Sequence, residues 1–377
     1  MRVLVTTAAL HGHFFPMVPL SWALRSAGHE VLVAAPEQFL TDVAAAGLPA
    51  AASAGPIAFA DFMFHDRDGN RLTPPADPVQ RRATSGRAWG RLAARTLDGT
   101  LDLVRSWRPD LVISEPTEYA GPMAARSAGI PWVEHSWGLA AQPEYKPAAA
   151  DELAPERRRL GLADLPEPDL LVDVAPPSVQ PPTGQPMRYV PYNGPATLPD
   201  WLRVPPTGQR ILVTLGSMLP THGLLDFAGM LRDLAVALAV PGTEVLVAVD
   251  DAVAARWTVP PAVRATGWLP LNLALPTCDL VVHHGGPGSV FTAFALGVPQ
   301  LALPQTADQF ENAERLVAAG VGRQLLPAER DPAAVLAAAT AVLAEPLYRK
   351  HSDAVAEEIR TRPSPADVVP VLERLAR

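Results

Sequence analysis

Two short stretches of this 377-residue chain hold side chains able to bind an anion or move a proton. The first is His283-His284-Gly285-Gly286-Pro287-Gly288-Ser289. The apolar run Leu280-Val281-Val282 precedes it, and Val290 to Leu296 follows as a helix stopped by Gly297, with Pro299 just beyond. Strand, glycine-rich turn and helix N-terminus together form a phosphate site, because free N–H groups and the helix dipole meet there. Glycine lets the backbone approach closely, and Pro287 fits an opening turn. Ser289 can cap the helix or donate to phosphate, and the neighbouring histidine adds a donor or a positive charge. The same residues also fit an ordinary strand-to-helix turn. Neither Gly-x-Gly-x-x-Gly nor Gly-Lys-Ser/Thr occurs here, which argues against a dinucleotide fold and a P-loop. The second stretch is His11-Gly12-His13, after the first strand. An imidazole titrates near neutral pH and can take a proton from an acceptor, although a loop histidine also reads as a structural residue.

Other motifs carry less. Asp66-Arg67-Asp68 has an Asp-x-Asp spacing but lies away from any phosphate turn and reads as a solvated charge pair. With no paired His/Cys cluster, no metal is expected. Cys278, the one cysteine, precedes the central strand and reads as a buried structural thiol. No Gly-x-Ser-x-Gly elbow occurs.

The elements that must position these residues follow an α/β pattern. Arg2 to Thr7 and Glu30 to Ala35 are strands; Pro16 to Ala27 and Glu37 to Ala46 are helices ended by Gly28 and Gly47. His11 and His13 fall in a loop, Ala8 to Phe15, and Ser53 to Gln80 is irregular. Arg81 to Trp107 is helical, Asp110 to Ser114 a strand, Tyr119 to Ala128 a helix and Pro131 to His135 a strand. Prolines crowd residues 175–206, leaving room for a short strand near Tyr189. The pattern then restarts with the strand Arg210 to Leu215, the turn Gly216-Ser217 and a helix near Leu224 to Ala239. Two Rossmann-like domains with parallel sheets facing across a cleft are expected, with ligands beyond the carboxyl ends of the strands. The expected boundaries are 1–195 for the first domain, 196–208 for a linker and 209–360 for the second. Residues 361–377 form a helix packing back on the first domain.

Bulk composition narrows the partners. Hydrophobic residues make up 48% and charged residues 19%, which is globular, and a net charge of −8 argues against nucleic-acid binding. No apolar run reaches membrane-spanning length and no leader is evident, so a soluble cytoplasmic protein without membrane partners is expected.

Across nearly its whole length the chain resembles GT-B glycosyltransferases that decorate antibiotics in actinomycetes. The resemblance rests on Gly12-His13, on His284 to Ser289 and on Pro304-Gln305-Thr306-Ala307-Asp308-Gln309. Two further segments, Tyr189 to Gly194 with Leu198 to Trp201, and Trp268 to Leu273, look like the urdamycin-type angucycline transferases. Those attach deoxysugars from dTDP donors to aromatic polyketides, in some cases through carbon.

The resemblance implies an inverting dTDP-deoxysugar transferase acting on an aromatic polyketide or similar aglycone, with the nucleotide sugar as co-substrate and no cofactor. His13 would be the base. Glu115 would orient it, with Glu118 near enough to compete. Ser217, Trp268, Leu269, His284, Gly285, Gly286, Pro287, Gly288 and Ser289 would hold the donor nucleotide and phosphates. Asp308 and Gln309 would read the sugar, Asp308 also fitting a helix N-cap. Phe62, Phe64, Trp89 and Trp137 would line an apolar acceptor pocket. The resemblance also allows a homodimer. Two other readings stay open: a nucleotide-sugar epimerase on the same fold, and a non-catalytic helper derived from a transferase.

Overall fold

The computed structural model describes residues 1–139, 141–216, 227–305 and 308–377. The chain forms two compact units. The first comprises residues 1–174, 182–188 and 362–377, the second residues 175–181 and 189–361. The backbone therefore passes between units at residues 174/175, 181/182, 188/189 and 361/362, and not through one linker at 196–208. Residues 175–181 and 189–195 belong with the second unit.

The first unit runs β1 (Arg2–Thr6), α1 (His11–Phe14), α2 (Val18–Ser26), β2 (Glu30–Pro36), α3 (Leu40–Ala45), β3 (Ala50–Ala54), α4 (Phe59–Met63) and α5 (Pro78–Trp107). It continues through β4 (Leu111–Ser114), α6 (Ala120–Ala128), β5 (Trp132–His135), α7 (Tyr145–Glu152), α8 (Ala154–Leu160), β6 (Leu170–Asp173) and β7 (Gln185–Pro186). Among the described residues its strands form a seven-stranded sheet in the order β3-β2-β1-β4-β5-β6-β7. β1 pairs with β2 and β4 in parallel. Its Val3, Leu4 and Val5 are wholly buried, as aliphatic residues are in a sheet covered on both faces. Each such side chain contributes roughly 1.5–3 kcal/mol on burial.

The second unit runs β8 (Gln209–Thr214), α9 (Phe227–Leu238), β9 (Thr243–Ala248), α10 (Asp251–Ala254), β10 (Val263–Gly267), α11 (Leu271–Ala274), β11 (Leu280–His283) and α12 (Pro287–Leu296). Then come β12 (Gln300–Ala302), α13 (Gln309–Ala318), β13 (Gly322–Gln324), α14 (Pro332–Ala344) and α15 (Pro346–Thr361). Among the described residues its sheet has six strands, in the order β10-β9-β8-β11-β12-β13. The last helix, α16 (Pro365–Leu375), returns to the first unit and packs on α2. Ser364 and Asp367 cap it reciprocally, and Glu373 bonds His29 Nε2 at 3.0 Å.

Several local expectations give way. His11 to Phe14 is one turn of helix and not loop. The stretch read as irregular contains α4 and an antiparallel bridge between His65 and Arg71. The short strand of the proline-rich region is β7, not Tyr189. Asp77 caps α5 through Gln80 N–H at 2.8 Å, so that helix starts at Pro78. Gly86 lets α5 lie close to α7: a Cβ there would meet Tyr145 Cα at 2.7 Å.

Candidate active site

In the first unit, sheet order brings a histidine and an acid together. β1 and β4 are parallel neighbours with Thr6 opposite Ser114, so the chain leaves both at the same carboxyl edge. One exit leads into α1 and the other into Glu115. Phe14 is fully buried against Phe39 and anchors α1. His11 bonds Asp42 Oδ1 at 2.7 Å and stacks on Phe15, a structural role. His13 Nδ1 lies 3.0 Å from Glu115 Oε1. A carboxylate only accepts, so the bond places the imidazole proton on Nδ1 and a lone pair on Nε2. The Thr117 N–H and hydroxyl donate to Glu115 Oε2 at 2.7 and 3.0 Å and fix the carboxylate. Sequence reasoning missed Thr117; its place two residues after the acid, where a hydroxyl can close a local turn, is the only signal.

Glu118 does not compete. The Thr6 hydroxyl donates to it, and it accepts from the N–H groups of Ala120 and Gly121 at 3.0 and 2.9 Å. It satisfies the first turn of α6, and burial lifts its pKa to about 7.

Aromatic rings surround His13. Trp137 meets its ring edge-on at 4.5 Å between centroids and Trp89 lies at 4.9 Å. Phe62 packs on Trp89 at 5.5 Å. Phe64 does not join them; it packs on Phe59 at 6.0 Å. Phe62, Trp89 and Trp137 are mostly buried, so only edges of these rings are accessible. Asp66 of the Asp-x-Asp stretch closes its own turn by accepting from Asp68 and Asn70, while Arg67 pairs with Glu152 and Glu156. No group of three or more His, Cys, Asp or Glu residues fit to hold a metal occurs among the described residues.

In the second unit the same logic operates. β8 and β11 are parallel neighbours with Thr214 opposite His283, so Gly216 and His284 emerge side by side. The His284 ring lies between the Gly216 and Gly286 backbones. A Cβ on Gly216 would meet its Cε1 at 2.6 Å, and one on Gly286 would run into its Nε2. Burial holds the His284 pKa down to about 3, so in the free protein it offers a hydrogen bond and not the positive charge considered from sequence. Its Nδ1 is buried without a hydrogen-bond partner among the described residues.

Gly286 is the N-cap of α12, and its carbonyl accepts from Ser289 and Val290 N–H, each at 3.1 Å. No side chain caps the helix. Ser289 is therefore not the cap; it sits inside the first turn, mostly buried. Pro287 opens the helix as expected. Beneath the turn His283, fully buried, accepts from Gly285 N–H through Nδ1 at 2.9 Å and meets Gln300 Oε1 through Nε2 at 2.8 Å. Asn312 donates to the Gly285 carbonyl at 2.9 Å. These two supports were not singled out from sequence, where an His-His pair gives no sign of which ring faces inward.

Trp268 is 41% exposed, and its backbone N–H donates to Asp251 Oδ1 at 2.7 Å. Leu269 puts its side chain into the core with Leu212 and Val281. Asp308 precedes α13 without a side-chain capping bond; it accepts from Asn312 at 3.3 Å. Gln309 Oε1 accepts from Gln305 N–H at 2.9 Å. Ser217, Thr306 and Ala307 lie outside the described residues. Cys278 is buried, and burial pushes its thiol up to about 12.

Comparison with known proteins shows the family. Residues 22–216 match the N-terminal domain, and residues 233–375 the C-terminal domain, of the erythromycin biosynthesis protein CIII-like family. L-demethylnoviosyl transferase of Streptomyces niveus is 43% identical over 98% of this chain and 96% of its own length. The crystal structure of the Streptomyces sp. SF2575 glycosyltransferase SsfS6, complexed with thymidine diphosphate, superposes with a TM-score of 0.90 at 40% identity over 99% of each chain. Spinosyn rhamnosyltransferase SpnG complexed with spinosyn aglycone gives 0.85 at 34% identity, covering 99% of this chain and 100% of that one. Two parallel α/β units with this similarity to solved GT-B glycosyltransferases place the chain in that class. Within that class, the chain belongs to the EryCIII-like family, whose relatives transfer deoxysugars in antibiotic biosynthesis. No helix among the described residues is long and apolar enough to cross a membrane.

Proposed function

We propose that this glycosyltransferase moves a deoxysugar from a dTDP-sugar to an aromatic polyketide or similar natural-product aglycone, with inversion at the anomeric carbon. The observation that carries the reading is the His13–Glu115 contact of 3.0 Å under the rings of Trp89 and Trp137. His13 Nε2 takes the proton of an acceptor hydroxyl as that oxygen attacks the anomeric carbon. Glu115 steadies the imidazolium that forms. The bond from the anomeric carbon to the nucleotide oxygen breaks, and the diphosphate leaves with the electron pair. The uncapped N-terminus of α12 and His284 stabilise that charge. An anion bound there favours the protonated imidazole and so raises the His284 pKa. A phenolate acceptor also carries nucleophilic density on its ortho carbon, so the same base serves O- or C-linkage.

The thymidine nucleotide is favoured by analogy, since relatives at this level of identity were solved with thymidine diphosphate. The test is a thermal-shift titration with dTDP, UDP and NAD, followed by a turnover screen of dTDP-deoxysugars against phenolic aglycones. A shift with dTDP well above UDP, together with product formed by the wild type and lost in His13→Ala, is the expected result. Binding of dTDP without turnover on any aglycone would favour a helper protein. No shift with any nucleotide would remove the donor reading.

A further inference from the structure

The segment Tyr189 to Gly194, which resembles related transferases in sequence, lies in the second unit. Its contacts give it a task there. Asn193 Nδ2 donates to Thr292 Oγ1 at 3.3 Å, and Asn193 Oδ1 accepts from Asn272 N–H at 3.0 Å. Thr292 belongs to α12 and Asn272 to α11. α11 has no side-chain cap of its own, so an asparagine 79 residues away satisfies one of its first-turn N–H groups. The fully buried Thr292 passes the linkage on, donating to the Gly288 carbonyl at 2.6 Å in the first turn of α12. The Tyr189 ring lies 5.5 Å from that of Phe291 in the same helix.

One primary amide thus joins two helices with different parts in donor binding. α12 presents the phosphate-binding N-terminus. α11 follows directly on Trp268-Leu269-Pro270, the stretch that offers the exposed indole. We propose that Asn193 is a positioning residue that fixes the spacing between the base platform and the phosphate turn, so that a nucleoside diphosphate engages both ends at once. The inference rests on the nucleotide reading above and adds to it a determinant of ligand length. An amide suits the task because it donates on one side and accepts on the other, as the two helices require.

A positioning role and a general structural role differ in what they do to ligands of different length. A ligand that touches both ends depends on their registration, whereas a fragment that touches one end does not. The experiment measures dissociation or inhibition constants for dTDP, thymidine and inorganic pyrophosphate against wild type, Asn193→Ala, Asn193→Asp, Thr292→Val and Thr292→Ser. Asn193→Ala and Thr292→Val should weaken dTDP about tenfold, the scale of one lost hydrogen bond to a pre-organised site. Thymidine and pyrophosphate should change by less than about twofold. Thr292→Ser keeps the hydroxyl and should restore dTDP affinity, while Asn193→Asp keeps only the acceptor and should fall between. Should Asn193→Ala fail to fold, the comparison of Thr292→Val with Thr292→Ser carries the same test. Equal weakening of all three ligands, or no weakening of dTDP, overturns the proposal. Failure of the wild type to bind dTDP overturns the nucleotide reading and this proposal with it, and is recognised because it precedes any substitution.

Discussion

Glu115 accepts a hydrogen bond from His13 Nδ1 at 3.0 Å across 102 residues of sequence, and Thr117 holds the carboxylate from its other side. The pair orients one imidazole nitrogen and leaves the other to act. Glu115→Gln keeps shape but removes the charge that stabilises imidazolium. We expect kcat to fall about a hundredfold, with the dTDP dissociation constant unchanged. His13→Ala should cost at least as much. Steady-state kinetics beside dTDP calorimetry check both; a parallel loss of nucleotide binding would show that the dyad does something else.

The His284 ring between two glycines gives a sharper test of the turn. Gly286 has an ordinary negative φ, so Gly286→Ala strains no backbone and acts on the ring alone. It should weaken dTDP by about tenfold, as His284→Ala should. The double variant should lose little more than either single one, because both act by removing the same ring from its place. Additive losses would mean that Gly286 matters for another reason.

Burial sets a pH dependence through Glu118. Its pKa rises from the ordinary 4.5 to about 7 in the folded protein. A carboxyl that binds its proton more tightly when folded stabilises the fold fully below the unfolded value, and that contribution is lost as pH climbs through the folded value. Wild type should therefore lose up to about 3 kcal/mol from this group between pH 4.5 and 7. Glu118→Gln should be flatter across that window. Its absolute stability should be lower, because an amide lacks the second acceptor needed by Ala120 and Gly121. Urea melts at several pH values read this directly.

Trp137 and Trp89 bracket the imidazole, and under the proposed function they would wall the acceptor. Trp137→Leu should raise the aglycone KM by about fivefold, the scale of an aromatic contact, and leave the dTDP-sugar KM within about twofold. Phe64→Leu should do less, since that ring packs on Phe59 and not on the cluster around His13.

Much of the architecture was legible because aliphatic runs such as Val3-Leu4-Val5 and Leu280-Val281-Val282 carry their own strand signal. The turn after β11 was legible for the same reason, since glycine and proline mark backbone geometry. What could not be read depends on contacts far apart in sequence. The four residues of α1 are too few to show a helical period, and they are held by Phe39 and Asp42. α4 is tethered by Arg91, which donates to the Phe62 carbonyl at 2.9 Å. After β7 the chain leaves the sheet, and the segment near Tyr189 attaches through side chains, which local sequence does not show. Glu118 closes on N–H groups two and three residues on, whereas Glu115 meets its partner His13 only because β1 and β4 are neighbours, which local sequence does not show.

The return of α16 to the first unit bears on how such enzymes can be recombined. A hybrid made by joining the front of one transferase to the back of another at a single point near residue 200 would bring in a foreign final helix. That helix would lie against α2, and its partner for His29 would come from the wrong parent. A successful exchange has to treat residues 362–377 as part of the front module and carry them with it. Splicing at both ends of the second unit should thus yield better-behaved chimaeras than splicing once.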